Sequence, residues 1–169
     1  DGGTATGDAL AVALDALKAE LMAAHPGIRI SVRALDVNDH EQVFAVFKAF
    51  AQELGGLDRI IVNAGLGKGQ PLGTGYFFKA NKPTAETNFV AAVAQMEAAM
   101  EVFRAQQRGH LVAVSSMSAM RGLPGNVTTY AATKAALHGL ARSLALELAP
   151  RGITVNVVAP AATDRRTAA

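Results

Sequence analysis

Four short apolar runs, each separated from the next by a stretch of helical periodicity, constrain this 169-residue chain more than any other feature. Ile28, Ile30 and Val32 alternate with polar neighbours before Ala34 and Leu35, which reads as a strand ending near Asp36. Ile60-Ile-Val62, His110-Leu-Val-Ala-Val114 and Ile153 to Val158 supply three more, so strands are expected near 28–35, 59–63, 110–115 and 153–158. Ahead of them, Leu10, Val12, Leu14, Leu17 and Leu21 predict a helix over Ala9–Ala24. A second follows from Val43, Val46, Phe47, Phe50 and Leu54, with Asp39 and Gln42 in the form of a capping box and Gly55-Gly56 as its stop. Phe89, Val93, Met96, Met100 and Phe103 predict a third from Thr84 to Arg108, with Gly109 just past its end. Leu137, Leu140, Leu144 and Leu148 predict a fourth from about Thr128 to Ala149. Parallel strands need a crossover and helices supply it, so the pattern predicts one α/β domain with a mainly parallel sheet.

Composition narrows the function classes. Half of the residues are hydrophobic, enough for one domain with a core. The net charge is only +2 and the basic residues are scattered singly, so nucleic acid is not an expected partner. Cysteine is absent and the four histidines are dispersed, so no metal site is expected. No run reaches the ~18 apolar residues of a membrane span and the first residues lack a signal-peptide pattern, which makes a soluble cytoplasmic protein the expectation, with no membrane partner. The opening Asp1-Gly-Gly-Thr-Ala-Thr-Gly7 precedes any periodic pattern and reads as a cut end.

In open α/β sheets the ligand lies outside the carboxyl ends of the strands. Those ends carry Asp36, Asn63, Ser115-Ser116 and Pro160. Tyr130 and Lys134, at i and i+4 on one helix, face the same way. A phenol is a poor proton shuttle at neutral pH unless a cation favours its ionised form, and Lys134 can be that cation. Each signal also has an ordinary reading. An isolated Tyr-x-x-x-Lys is commonly a surface tyrosine over a solvated lysine. Asp36 could cap the next helix, Asn63-Ala64-Gly65 could be a turn and Asn88 an exposed helix residue. His138, two turns after Tyr130, reads as a helix-surface histidine. Gly65-Leu-Gly-Lys-Gly69 follows a strand, but no helix opens directly after it to receive a phosphate.

Taken together, Asp36-Val37, Asn63-Ala64-Gly65, Asn88, Ser116, Tyr130-Ala-Ala-Thr-Lys134 and Val155-Asn-Val-Val-Ala-Pro160 stand in an order and spacing that resembles the short-chain dehydrogenase/reductase family, from about Ile28 to Thr163. The stretches around Asp36 and Ser115 look closest to bacterial members known only as general oxidoreductases. The resemblance implies a partial Rossmann-like, doubly wound parallel sheet of about four strands with flanking helices. It implies NAD or NADP as cofactor, without deciding between them, and a small-molecule alcohol or carbonyl as substrate.

Position by position, Tyr130 resembles the general acid/base, Lys134 its activator and a ligand of the nicotinamide ribose, and Ser116 the residue that holds the substrate oxygen. Asn88 would anchor a water in the proton relay. Asp36 and Val37 would meet the adenine edge, Asn63, Ala64 and Gly65 the adenosine ribose, and Pro160 and Thr163 the cofactor near its carboxamide. Ser115 and Ser118 remain alternatives to Ser116, because the usual serine-to-tyrosine spacing is one residue shorter and falls here on Met117. A homo-dimer or homo-tetramer through the helices of Asn88 and Tyr130 is expected of the full-length parent.

The sequence departs from the family pattern in lacking the initial strand, glycine-rich turn and helix that hold the pyrophosphate, and in having Ala161 where a glycine usually follows the proline. In the family's strand order, 3-2-1-4-5-6-7, the two absent strands separate the one ending at Asp36 from the one ending at Asn63. The expectation is that these two pair directly, closing the gap. Two readings follow: a piece of an active oxidoreductase, with weak or no activity in the 169 residues alone, or a non-catalytic remnant that binds a partner.

Overall fold

A computed structural model describes residues 3–67 and 69–161, with side chains from residue 9. In chain order the elements are α1 (Gly3–Ala24), α2 (His40–Leu54), β1 (Arg59–Val62), α3 (Lys82–Ala85), α4 (Ala91–Gln106), β2 (Gly109–Val114), α5 (Thr128–Leu148) and β3 (Ile153–Val158). The described sheet has three parallel strands in the order β1-β2-β3. Ile60 stands beside Leu111 and Val62 beside Ala113, while Leu111 and Ala113 in turn stand beside Val155 and Val157. One face of the sheet is therefore apolar throughout.

That face meets Met96, Ala99, Met100 and Phe103 of α4 and Leu137 and Leu148 of α5 in one continuous core. Burying side chains of this size contributes about 1.5–3 kcal/mol each, which fixes the two helices on the sheet. Helix α2 packs along α4 and adds Phe47. On the opposite face Ile61 is 59% exposed, and Thr154, Asn156 and Val158 are exposed as well.

The predicted strand over 28–35 does not form, and neither does its pairing with β1, so the described sheet has three strands rather than four. A strand is defined by its partner, and this segment's bonds go to a helix end instead. Arg29 donates to the carbonyls of Glu53 (3.3 Å) and Leu54 (3.0 Å), and Ser31 donates to the Glu53 carboxylate at 2.6 Å. Arg33 pairs with Glu53 and lies over the Phe50 ring, 5.5 Å from its centroid. The side-chain bonds thus tie the segment to the end of α2.

Other boundaries follow local chemistry. Helix α1 begins at Gly3, six residues before the predicted start, because nothing in Thr4 to Asp8 forbids helix and Gly7 costs only ~1 kcal/mol. Asp39 caps α2 as expected, its carboxylate accepting from the Gln42 amide at 3.0 Å, and Gly55 closes it in the left-handed conformation (φ 80°). Before α4, the helical backbone starts at Phe77 rather than Thr84 and includes two π-helical turns, Phe77–Asn81 and Glu86–Val90. The Lys82 amide bonds to Phe77 O, five residues back, which shifts the bonding pattern just before Pro83, a residue with no amide to donate. Gln107, not Gly109, takes the left-handed position after α4 (φ 56°). Gly109 instead opens β2, where a Cβ would fall 2.2 Å from the Phe103 ring.

Candidate active site

The carboxyl ends of all three strands converge on one cleft of about 690 Å³. Its walls are Asn63, Gly65, Leu66 and Gly67 after β1, Val114, Ser115 and Ser116 at the end of β2, Pro160 and Ala161 after β3, and Tyr130 and Lys134 from α5. The ladder continues past the strands: the Ser115 amide donates to Val158 O at 2.8 Å and the Met117 amide to Pro160 O at 3.0 Å. Pro160 is thereby tied beside Ser116. Ala64 connects two lining residues without lining the cleft itself. Thr163 lies outside the described residues.

Lys134 is not a solvated surface lysine. It is 4% exposed, its Nζ donates to Val114 O at 2.8 Å and lies 5.9 Å from the centroid of the Tyr130 ring. Burial pushes its pKa below the ordinary lysine value, because the ammonium has given up water for one carbonyl and an aromatic face. The i,i+4 spacing thus yields a phenol and an amine converging where a strand ends.

Proton accounting separates the three serines. A hydroxyl has one proton to donate. Ser115 donates its proton to Lys134 O at 2.9 Å, and its oxygen meets His138 Nε2 at 2.8 Å. Ser118 is buried and donates to Ser116 Oγ at 3.0 Å. Ser116 Oγ accepts that bond and another from the Ser118 amide at 3.2 Å, while its own proton has no acceptor among the described residues. It is therefore the serine with a hydrogen bond left to give in the cleft. His138, expected on the helix surface, is half-buried and bonded to Ser115; periodicity placed it on the Tyr130 face but could not show that β2 ends against it.

Asn88 is fully buried within the second π-helical turn, not an exposed helix residue. Its Oδ1 accepts from the Leu66 amide at 2.6 Å and its Nδ2 donates to Leu66 O at 2.8 Å, so the side chain holds the cleft's loop. Gly65 explains itself in this setting: a Cβ there would sit 3.2 Å from Asn88 Oδ1 and 3.3 Å from Lys134 Nζ, two atoms already bonded. Asp36 and Val37 are not brought into the cleft wall. The Asp36 carboxylate accepts from the Asn38 amide (2.9 Å) and side chain (3.0 Å), forming a turn rather than a helix cap. Asn38 in turn bonds to Thr87 at 3.2 Å, which moors that turn one residue from Asn88. Leu66, Gly67, Val114 and Ala161 are lining residues that sequence reasoning missed, and their signal was adjacency to the strand ends.

A tyrosine, a buried lysine and a serine with an unspent proton thus meet at the carboxyl ends of a parallel sheet in an α/β fold. The chain matches the short chain dehydrogenase family over residues 5–169 and belongs to it. It is 50% identical over 147 residues to an uncharacterized oxidoreductase of Mycobacterium tuberculosis, covering 87% of this chain and 58% of that protein. The solved structure of levodione reductase superposes with a TM-score of 0.80 at 30% identity, covering 88% of this chain and 57% of the other. ElxO with NADP bound superposes at a TM-score of 0.72 and 32% identity, covering 78% and 53%. The chain thus spans a little over half the length of the relatives it matches.

Proposed function

We propose that the whole protein is a nicotinamide-dependent oxidoreductase that moves a hydride between NAD or NADP and a small alcohol or carbonyl compound. The observation that carries this reading is the convergence of Tyr130, Lys134 and Ser116 on one strand-end cleft. The site suits such a cofactor: the Lys134 ammonium has two N–H groups beyond the one given to Val114, suited to ribose hydroxyls. The NADP bound in ElxO supports the same cofactor class. When bound, the nicotinamide supplies or accepts the hydride.

The chain's own residues manage position and proton. Ser116 donates its unspent hydrogen bond to the substrate oxygen, and Tyr130 gives that oxygen a proton in reduction or removes it in oxidation. Lys134 presents its charge to the phenol and holds the ribose. Asn63, Ala64 and Gly65 border the adenosine ribose, Asp36 and Val37 the adenine edge, and Pro160 and Thr163 the carboxamide. With the Asn88 side chain committed to Leu66, the water-anchoring role falls to its main chain.

The reading includes a cytoplasmic protein that assembles as a homo-dimer or homo-tetramer. No described helix is long and apolar enough to cross a membrane. The groove between α4 and α5, lined by Val93, Met96, Met100, Leu140 and Leu144, supports pairing through those helices. A second reading, a non-catalytic interaction module, draws on the exposed Leu10, Val12, Leu17 and Leu21 of α1 and on Ile61 of the open sheet face. Tyr130→Phe in the whole protein decides between them. On the enzymatic reading, turnover of a ketone panel with NADH or NADPH falls at least ~100-fold while dinucleotide affinity barely changes. Retention of most of the turnover would remove Tyr130 as the acid/base, and no dinucleotide binding at all would favour the interaction module.

A further inference from the structure

The loop after β1 is held by two side-chain amides seven residues apart on one helical run. Asn88 pairs with both backbone groups of Leu66. Asn81 does the same for Gln70: its Oδ1 accepts from the Gln70 amide at 3.1 Å and its Nδ2 donates to Gln70 O at 3.1 Å. A carboxamide carries one acceptor beside its donors, so each asparagine imitates a residue of a neighbouring strand and satisfies backbone that has no ladder of its own. Both are buried, Asn81 at 6% exposure and Asn88 at 0%.

Loop and helix run in opposite directions, 66 against 88 and 70 against 81. Each anchor lies in one of the two π-helical turns, Phe77–Asn81 and Glu86–Val90.

On its other side the loop presses against the approach to Tyr130. A Cβ on Gly69 would fall 2.7 Å from Asn126 O and 3.9 Å from the Tyr130 amide nitrogen. Leu66 and Gly67 line the cleft. The reacting groups are fixed separately, by bonds between β2 and α5 that do not involve this loop: Lys134 to Val114 and Ser115 to Lys134.

We infer that Asn81 is a positioning residue that sets the substrate-side wall of the cleft, through the loop over 66–70 and without touching the reacting groups. This rests on the oxidoreductase reading above. Releasing Gln70 lets the wall move while Tyr130, Lys134 and Ser116 keep their places. The substrate therefore loses its fit, and the chemical step does not.

The test has a local arm and a kinetic arm. In the 169-residue chain, Asn81→Ala should speed amide exchange at Gln70 by at least ~10-fold while leaving the Leu66 amide within ~2-fold. In the whole protein, assayed on a panel of aliphatic and aromatic ketones with NADPH and NADH, Asn81→Ala should raise KM at least ~5-fold for the best ketone, with kcat within ~3-fold and dinucleotide affinity unchanged. Unaltered exchange at Gln70, or a fall in kcat with KM constant, would overturn the inference. Tyr130→Phe is the control: if it keeps its turnover the oxidoreductase reading fails, whereas if it is inactive and Asn81→Ala has normal KM, only the role of Asn81 fails.

Discussion

Ser115 Oγ and His138 Nε2 lie 2.8 Å apart, joining the end of β2 to the second turn of α5 after Tyr130. Because the one proton of Ser115 goes to Lys134 O at 2.9 Å, the bond to His138 must be donated by the ring. The imidazole is therefore protonated at Nε2 whether neutral or cationic. Long-range proton–nitrogen NMR on the 169-residue chain should show the ring in its Nε2–H form. Ser115→Ala should allow the Nδ1–H form to appear. A wild-type ring protonated only at Nδ1 would contradict this arrangement.

Lys134 makes stability depend on pH in a direction opposite to most lysines. Its folded pKa lies below the ordinary lysine value of 10.5 through burial, so from that lowered pKa up to 10.5 the unfolded chain binds more protons than the folded one. Stability should rise with pH across that window as the buried ammonium is neutralised, and the unfavourable contribution should be present in full below it. Urea midpoints measured from pH 7 to 10.5 should therefore show a favourable term in the wild type that Lys134→Met lacks. Lys134→Met should also lose the bond to Val114 O, worth about 1.5–3 kcal/mol for a charged donor. Equal pH slopes for the two proteins would show that the lysine titrates normally.

Gly109 is predicted to be irreplaceable for packing rather than for backbone conformation. Its hypothetical Cβ falls 2.2 Å from Phe103 Cγ, and Phe103 is fully buried between α4 and the sheet. Gly109→Ala must push that ring aside, an overpacking that typically costs 1–3 kcal/mol. Gly122→Ala, where a Cβ would meet nothing within 4 Å, should change little. Comparable denaturation midpoints for the two variants would refute the account.

The parts of this molecule legible in its sequence are those decided by nearby residues. β3 matches its predicted bounds, and β1, β2 and α5 fall within a residue or two, because alternation, helical spacing and the flanking Gly152 act over a few positions. The stretch 28–35 was misread because alternation predicts an extended chain, whereas pairing depends on a neighbour that Arg29, Ser31 and Arg33 do not seek. Tyr130, Lys134 and Ser116 were legible as a constellation, yet the choice among serines needed proton accounting across α5. Asn81 was invisible: Pro83 invites a helix start after it, and its partner Gln70 lies in a glycine-rich loop without period.

The last prediction concerns the affinity of the 169-residue polypeptide for its proposed cofactor. Among the described residues lining the cleft, Lys134 is the one cation, and its ammonium is already bonded to Val114 O and drawn toward Tyr130. A dinucleotide brings a pyrophosphate, and charge-assisted hydrogen bonds to such a group, typically from the amides of a helix start, are worth about 1.5–3 kcal/mol each. Asp36, Asn63 and Gly65 address only the adenosine portion on the proposed reading, and Asp36 stands outside the cleft wall. Forgoing two or three pyrophosphate bonds costs several powers of ten, since each ~1.4 kcal/mol is tenfold. Calorimetric titration of the purified 169-residue chain with NADH and NADPH should therefore give dissociation constants no tighter than ~1 mM and no measurable turnover. Fusing the strand-turn-helix-strand unit of a related enzyme ahead of residue 1 should tighten binding by at least ~100-fold. Micromolar binding by the 169 residues alone would mean that the cleft holds the pyrophosphate by groups other than those described.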